Sequence, residues 1–239
     1  SQVRLVVSGA GAASVACVDL LVSMGLQKKN VRMIDRTGVI YAGRKEGMNP
    51  WKQGYAVETS DRTIEDAIEG ADLFMGLSGP GVLNGDLLKK MGEKPIILAM
   101  SNPVPEIMPE EAMAARPDAI LATGRSDYPN QVNNVLCFPF IFRGALDCGA
   151  STINEEMKMA AVRAIADLAT KETSDVVAAA YADEQLKFGP EYLIPKAFDP
   201  RLIEDVPLAV VQAAMDSGVA TRPIADMEAY RQSLHESVN

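Results

Sequence analysis

A glycine-rich turn near the beginning of the chain has the residue types and spacing that hold a phosphate. The sequence Gly9, Ala10, Gly11 and Ala12 follows a short β-branched run and precedes a helix-forming segment. In such a turn the first glycine permits the tight reversal, and the second lets a pyrophosphate approach the backbone. The N–H groups of the helix N-terminus attract the anion. The pattern predicts dinucleotide binding, with Ser14 as a small residue in place of the usual third glycine.

An acidic residue ends the second predicted strand. Asp35 lies 21 residues after Ser14, close to the separation at which a carboxylate accepts hydrogen bonds from an adenosine ribose. Its neighbour Arg36 has the opposite chemistry, because a guanidinium holds the 2′-phosphate that a carboxylate repels, and Arg44 or Lys45 would assist it. Alternatively, Arg36 is a solvated surface residue. The sequence predicts NAD or NADP as cofactor and leaves the choice open.

Further polar candidates follow the next predicted strands. Ser78 lies in a glycine-rich turn that either contacts the cofactor or only reverses the chain. Asn102 follows the next strand, where its amide would donate to a carboxylate or to the nicotinamide region, or would belong to an Asn-Pro turn. Asn133 and Asn134 precede an apolar run and are either helix caps or ligand-binding groups.

Acid/base and metal-binding groups are scarce in the chain. Oxidation of an alcohol needs a positioned acid or base, and the one histidine, His235, lies in a polar segment near the carboxyl terminus. The acidic pairs at 110–111 and 155–156 are at predicted helix starts, where carboxylates favour the helix dipole. No metal site is predicted. Because the chain begins two residues before the first predicted strand, we expect a catalytic domain upstream.

The glycine turn and the other candidates are positioned by alternating strands and helices. Continuous apolar strands separated by helices indicate a parallel sheet covered on both faces. We therefore predict an α/β fold with a Rossmann-like, doubly wound, mostly parallel sheet. The predicted strands are Val3–Val7, Val31–Ile34, Asp72–Met75, Ile96–Met100 and Ala119–Ala122.

The pattern changes to helices and loops after Thr123. Residues 130–148 suggest a largely apolar buried helix, and Thr152–Glu155 resembles a capping box for a helix through Leu168. Two short helices are expected near Leu208–Ser217 and Ile224–Leu234. The predicted domains are residues 1–150, which bind NAD or NADP, and residues 151–239, a C-terminal helical extension packed on the same domain.

Composition excludes several classes of function. The net charge is −9 over 239 residues. Proteins that bind nucleic acids usually have a broad positively charged surface, which an acidic chain of this kind is not expected to form. No apolar run approaches the roughly 20 residues that span a bilayer. The three cysteines show no CxxC spacing and suit reduced, buried thiols, so we expect a cytoplasmic protein without nucleic-acid or membrane partners.

Five short motifs are spread along the chain: Gly9–Ala13, Ile34–Ile40, Ser101–Pro103, Gln131–Val135 and Ile194–Leu202. Together they resemble malic enzyme, in its dinucleotide-binding domain, and the resemblance covers nearly the whole chain. The last third, including 213–223, is similar to the bacterial form that continues into a phosphotransacetylase-like domain.

The resemblance implies oxidation of malate with NAD or NADP and a divalent cation, Mg or Mn, followed by decarboxylation to pyruvate. It implies that residues 9–12 hold the pyrophosphate and that Asp35 meets the ribose. Asn102 and Asn134 would lie near nicotinamide and malate, with Asn133 as a weaker candidate. The family's tyrosine and lysine acid/base pair and its metal ligands lie ahead of the glycine turn, so we expect this chain alone to bind cofactor without turnover. The family is usually oligomeric, which implies a homo-oligomer.

Two other functions remain open from the residues. One is a non-catalytic dinucleotide-binding sensor or regulatory module, which would keep the glycine turn without the chemistry. The other is a different Rossmann oxidoreductase, in which Asn102 and Asn134 are ordinary turn and cap residues.

Overall fold

The computed structural model describes residues 2–173, 175–181 and 186–237. They form two compact units that divide between Val132 and Asn133. In the described part of the chain, no helix has both the length and the apolar character needed to cross a membrane.

The first unit is built on a six-stranded sheet with the order β3-β2-β1-β4-β5-β6. All neighbouring strands are parallel except β3, which pairs antiparallel with β2. This confirms the predicted Rossmann-like, mostly parallel fold. The strands are β1 Leu5–Ser8, β2 Val31–Asp35, β3 Gly38–Val39, β4 Leu73–Gly76, β5 Ile96–Ala99 and β6 Ile120–Thr123.

Helices connect the strands of the first unit. They are α1 Ala12–Ser23, α2 Pro50–Gln53, α3 Ile64–Ile68, α4 Gly85–Lys89 and α5 Pro109–Ala115, with a 3₁₀ turn at Lys28–Asn30. The sequence Thr63–Asp66 has the pattern of a capping box, and the structure forms it at the start of α3: the Thr63 hydroxyl accepts the Asp66 N–H, and the Asp66 carboxylate accepts the Thr63 N–H. Helix α2 was not predicted; the Asn49 side chain caps it by accepting the Lys52 N–H.

Apolar side chains cover both faces of the sheet. In β1, Val6 belongs to the hydrophobic cluster that contains Phe74 and the α4 residue Leu88. Its neighbours Leu5 and Val7 belong to a second cluster with the α1 residue Val18. Alternate residues of a strand point to opposite faces, so β1 is buried from both sides, as the sequence predicts for a parallel sheet.

The second unit is helical. Its helices are α6 Phe138–Asp147, α7 Glu155–Thr170, α8 Asp175–Ala180, α9 Leu202–Asp216 and α10 Met227–Glu236, and a 3₁₀ turn covers Asn134–Leu136. Helix α9 packs against α6 and α7. A Cβ added at Gly144 of α6 would lie 2.8 Å from the Pro207 carbonyl oxygen of α9, so this glycine allows the two helices to approach closely.

Packing on α9 accounts for the segment that begins at Asn133 belonging to the second compact unit, while the domain boundary after residue 150 stays a prediction. Leu136, Ala145 and Cys148 belong to the same hydrophobic cluster as Leu202 and Val210. The segment that follows Val132 therefore folds with the helices and not with the sheet.

Four details of the helical unit differ from the sequence prediction. The buried helix predicted over 130–148 is shorter, and its residues Phe138 and Leu146 are 63% and 67% exposed. Asn154, not Thr152, caps α7, because its side chain accepts the Met157 N–H. Helix α9 begins before the predicted start at Leu208, since its earlier residues are buried against the neighbouring helices. Helix α8 was not predicted.

Candidate functional site

A cleft of about 900 Å³ opens where β1, β2 and β4 end. Ligands of doubly wound folds bind at this carboxyl edge of the sheet. We call it the sheet-edge cleft. It is lined by Ser8, Gly9, Ala10, Ile34, Asp35, Arg36, Thr37, Gly38, Gly47, Lys52, Arg62, Thr63, Ile64, Ser78, Gly79 and Val82.

The cleft brings together five of the residues proposed from sequence. Gly9 and Ala10 come from the loop after β1, Asp35 and Arg36 from the end of β2, and Ser78 from the loop after β4. The two remaining turn residues, at 11 and 12, begin α1 directly beside this lining.

The two glycines of the turn serve different purposes. Gly9 has a φ of +110°, and a Cβ placed there would lie 2.5 Å from the carbonyl oxygen of Leu77, so the fold requires glycine. Gly11 has a φ of −87°, and a Cβ there would meet no atom within 4 Å. The fold does not require glycine at 11. The open space in front of the N-terminus of α1 is therefore suited to an approaching anion, and the turn fits a pyrophosphate.

Ser14 takes the place of a third glycine without blocking the helix. It is 1% exposed, and its Oγ would lie 3.2 Å from a Cβ added at Gly9. Its hydroxyl has no hydrogen-bond partner among the described residues. A larger residue would press on the turn, so a small side chain is needed here.

Asp35 ends β2 with its carboxylate already engaged. Arg44 Nη2 donates to Oδ1 at 2.7 Å and to Oδ2 at 2.8 Å, and Lys52 Nζ donates to Oδ2 at 2.7 Å. The N–H and hydroxyl of Thr37 both donate to Oδ1 at 2.9 Å. A carboxylate offers about four lone-pair positions, so these donors saturate it. A ribose would have to compete with them for Asp35.

The electrostatics of Asp35 follow from these bonds. Burial by itself would raise the pKa of its carboxyl group, but the hydrogen bonds from Lys52, Arg44 and Thr37 outweigh it. The pKa is lowered from 3.8 to about 2. Asp35 therefore carries its charge at neutral pH, and the two cations compensate it.

Arg44 is held inside the fold. It is 7% exposed, and its Nη1 donates to the carbonyl oxygens of Gly38 and Val39 at 3.1 and 3.0 Å. Its side chain thus closes the turn between β2 and β3 as well as pairing with Asp35. The guanidinium of Arg44 is therefore occupied by contacts within the protein, whereas Lys45 is exposed.

The charged lining of the sheet-edge cleft is mostly positive. Arg36, Lys52 and Arg62 line it beside the single carboxylate of Asp35. Arg36 and Arg62 are exposed, and no carboxylate in the described part of the chain forms an ion pair with either. Arg62 lies over the Tyr41 ring at 3.7 Å from the ring centre. This charge distribution favours an anionic ligand.

Sequence reasoning did not identify Lys52, Arg62 or Glu106. Lys52 and Arg62 belong to polar stretches without a recognisable motif, and folding alone brings them to the cleft. Glu106 is 0% exposed and accepts the N–H of Ser78 at 3.1 Å and that of Ser101 at 3.0 Å. Only the folded structure shows that Glu106 is buried, because nothing in the sequence around it predicts an acidic residue in the core.

The three candidate asparagines differ in what they already bind. Asn102 follows β5, is exposed and is joined to Pro103 by a cis peptide bond; it is not among the residues that line the cleft. Asn133 caps the 3₁₀ turn of the second unit by accepting the Val135 N–H at 3.0 Å. Asn134 is exposed. Among the described residues, the side chains of Asn102 and Asn134 form no hydrogen bond, so both amides are available to a ligand.

No group of three or more His, Cys, Asp or Glu side chains in residues 2–173, 175–181 and 186–237 is arranged to hold a metal ion. The imidazole Nδ1 of His235 lies 2.6 Å from Glu204 Oε1. The three cysteines are free thiols, and burial raises the pKa of Cys17 and Cys137.

Comparison with known proteins identifies the family of the chain. The family described as "Malic enzyme, NAD binding domain" matches residues 1–180. The NADP-dependent malic enzyme of Salmonella typhimurium is 63% identical over 239 residues, covering 100% of this chain and 32% of that protein. The NAD-dependent malic enzyme of Rhizobium meliloti is 59% identical over 238 residues, covering 100% of this chain and 31% of that protein.

Solved structures show the same relationship. The crystal structure of Entamoeba histolytica malic enzyme superposes with a TM-score of 0.82 at 33% identity, covering 99% of this chain and 49% of that chain. Malic enzyme from Pyrococcus horikoshii also gives a TM-score of 0.82, at 35% identity, covering 98% of this chain and 53% of that chain. The chain spans about a third of the length of the curated relatives it matches. It belongs to the malic enzyme NAD-binding domain family.

Proposed function

We propose that this chain is the NAD- or NADP-binding part of a malic enzyme, which oxidises and decarboxylates malate to pyruvate and carbon dioxide. The observation that carries the proposal is the open space at Gly11, at the N-terminus of α1 and beside the sheet-edge cleft. Nothing in the fold requires glycine there, whereas a pyrophosphate held by the first N–H groups of the helix does.

Different residues of the chain bind different parts of the cofactor and substrate. The turn at 9–12 holds the pyrophosphate, while Arg36 and Lys52 supply positive charge near the end of β2. Ser78 lines the cleft from the loop after β4, and the free amides of Asn102 and Asn134 orient nicotinamide and substrate, with Asn133 acting as a cap. A bound NAD⁺ or NADP⁺ supplies the hydride acceptor.

The divalent cation of malic enzymes does not fit the described residues, since no suitable cluster of ligands is found among them. The acid/base pair and the metal ligands are proposed to come from a catalytic part ahead of the glycine turn, as the relatives' greater length allows.

Isothermal titration calorimetry of the chain with NAD and with NADP, at one fixed salt concentration, tests the proposal. We expect saturable binding of at least one cofactor. A side chain introduced at Gly11, as in Gly11→Ala, should weaken that binding. Failure of both cofactors to bind would overturn the proposed role of this chain.

A second assay tests the division of labour. The chain alone, with malate, cofactor and Mg²⁺ or Mn²⁺, is expected to show no malate oxidation. Joined to the part of the Salmonella typhimurium relative that precedes the matched segment, it should gain activity. Cofactor binding without activity in the joined protein would favour a sensor or regulatory module.

The cysteines and the sequence resemblance bear on partners and cellular location. The free, partly buried thiols suit a reducing compartment such as the cytoplasm. Homo-oligomerisation and a phosphotransacetylase-like domain downstream are proposed from the sequence resemblance. Sedimentation of the joined protein would test the first of these.

A further inference from the structure

Glu106 is a fully buried carboxylate at the centre of the first unit. It lies between β5 and α5 and is 0% exposed. In the described part of the chain it pairs with no lysine, arginine or histidine. Burying a carboxylate without a cation is costly, so a fold that needed only to fill this volume would be served better by an apolar side chain.

The two oxygens of Glu106 bind the loops that follow two neighbouring strands. Oε1 accepts the N–H of Ser78, after β4, at 3.1 Å, and Oε2 accepts the N–H of Ser101, after β5, at 3.0 Å. Both bonds need an acceptor, and a carboxylate is the side chain that offers acceptors on both atoms. A glutamine would satisfy one N–H and turn its own N–H₂ towards the other.

Neighbouring residues leave room for this arrangement. A Cβ at Gly76, the last residue of β4, would lie 2.3 Å from the Glu106 carboxyl carbon. The Ser78 hydroxyl also bonds the Ser8 hydroxyl, Oγ to Oγ 2.7 Å, at the end of β1. Glu106 is thus part of a chain of bonds that joins the ends of β1, β4 and β5.

The position of these loops in the sheet assigns them to one end of a bound dinucleotide. In doubly wound folds each half of the sheet binds one mononucleotide. The adenosine side is the half with β2, Asp35 and Arg36, and β4 and β5 belong to the other half. Ser78 and Gly79 line the sheet-edge cleft, and Ser101 precedes the exposed Asn102.

We propose that Glu106 is a positioning residue for the nicotinamide half of the cofactor, holding the loops at Ser78 and Asn102 in their binding arrangement. The inference rests on the proposed cofactor binding. It predicts that removing one of the two acceptor oxygens of Glu106 weakens binding of the nicotinamide half of the cofactor and leaves binding of the adenosine half unchanged.

The test compares Glu106→Gln with the unmodified chain by calorimetric titration of two probes, the whole cofactor and its adenosine fragment. The pair is NADP⁺ with adenosine 2′,5′-bisphosphate, or NAD⁺ with ADP where the unmodified chain binds NAD⁺ instead. The fragment reports on the adenosine half only. We expect the Kd for the whole cofactor to rise about tenfold and the Kd for the fragment to change less than about twofold. The control is Glu111→Gln: Glu111 is exposed, accepts the Gly85 N–H at 2.9 Å and does not line the cleft. It should leave both affinities unchanged.

The two affinities together decide whether Glu106 positions the nicotinamide half. Equal weakening of both probes would show a merely structural role and overturn the proposal, as would no change in either. Failure of the unmodified chain to bind NADP⁺ or NAD⁺ would instead reject the proposed function.

If Glu106→Gln does not fold, NMR of the unmodified chain replaces it. The amide signals of Ser78, Ser101 and Asn102 should then shift on adding NADP⁺ and not on adding the fragment. Identical responses to the two ligands would overturn the proposal.

Discussion

Arg44 Nη2 donates to both carboxylate oxygens of Asp35, at 2.7 and 2.8 Å. The pair is well shielded, since the side chains are 4% and 12% exposed. The residue at the end of β2 is therefore an internal ion-pair partner, and its charge is compensated before any ribose arrives. Arg44 and Lys52 thereby alter what Asp35 presents to a cofactor.

Asp35→Asn is predicted to destabilise the chain in a pH-dependent way. The folded-state pKa is about 2 against an ordinary 3.8, so the stabilisation is complete above about pH 4 and is lost as the pH falls towards 2. The shift corresponds to about 2 kcal/mol at pH 7, and an unpaired buried Arg44 adds to the loss.

Urea unfolding at pH 7, 4 and 2 measures this effect. The difference between unmodified chain and variant should narrow as the pH falls below 4. Asp127→Asn is the control, because its pair with Arg125 is exposed, and such surface pairs contribute about 0 to 1 kcal/mol. A difference that is constant with pH would contradict the role assigned to the Asp35 charge.

The two glycines of the turn are predicted to separate folding from binding. Gly9→Ala should lower the free energy of unfolding by more than about 1 kcal/mol, because of its positive φ and the 2.5 Å approach to Leu77. Gly11→Ala should change it by less than about 1 kcal/mol, because alanine is a poorer N-cap than glycine but reduces the conformational entropy of the unfolded chain. It should nevertheless weaken NAD and NADP binding about tenfold or more, since the methyl group enters the phosphate space. Thermal unfolding and calorimetry on the same two variants check both statements. Unchanged affinity in Gly11→Ala would exclude the phosphate from this turn.

Arg36→Ala is predicted to lower affinity for NADP more than for NAD. Arg36 lines the cleft and forms no ion pair with a described carboxylate, so its guanidinium is available to a 2′-phosphate. We expect about a tenfold rise in the Kd of NADP and less than a twofold change for NAD. Lys89→Ala is the control, as Lys89 is exposed and does not line the cleft. Equal effects on the two cofactors would show that Arg36 does not distinguish them.

Neighbouring asparagines are predicted to have different functions. Asn133→Ala should cost about 1 kcal/mol of stability because it removes a cap on the Val135 N–H. Asn134→Ala should barely alter unfolding, yet lower kcat/KM for malate about a hundredfold in the protein joined to a relative's preceding segment. Denaturation and steady-state kinetics are measured on each variant. If Asn134→Ala retains full activity, the amide has no part in catalysis, and a different Rossmann oxidoreductase becomes the better hypothesis.

The elements that could be predicted from the sequence are those with local causes. The glycine turn between β1 and α1, the capping box at Thr63 and the apolar strands each depend on residues within a few positions of one another. Strands that are apolar throughout and alternate with helices are typical of a sheet covered on both faces, so the pattern also predicts the mostly parallel sheet. The N-cap of α7 was predicted wrongly, because two nearby polar side chains can both cap a helix. Asn154 caps α7 instead of Thr152.

The electrostatic state of the site depends on contacts that only folding creates. Lys52 reaches Asp35 across 17 positions of sequence, and Glu106 binds Ser78 across 28. Neither pairing leaves a periodic signal, because each depends on loops from different strands meeting at one edge of the sheet. By itself the sequence determined that a glycine-rich turn precedes α1 and that an acidic residue ends β2. The tertiary structure decided that this carboxylate is saturated by cations and that a second, buried carboxylate joins the neighbouring loops, since both depend on distances that only the packed sheet sets.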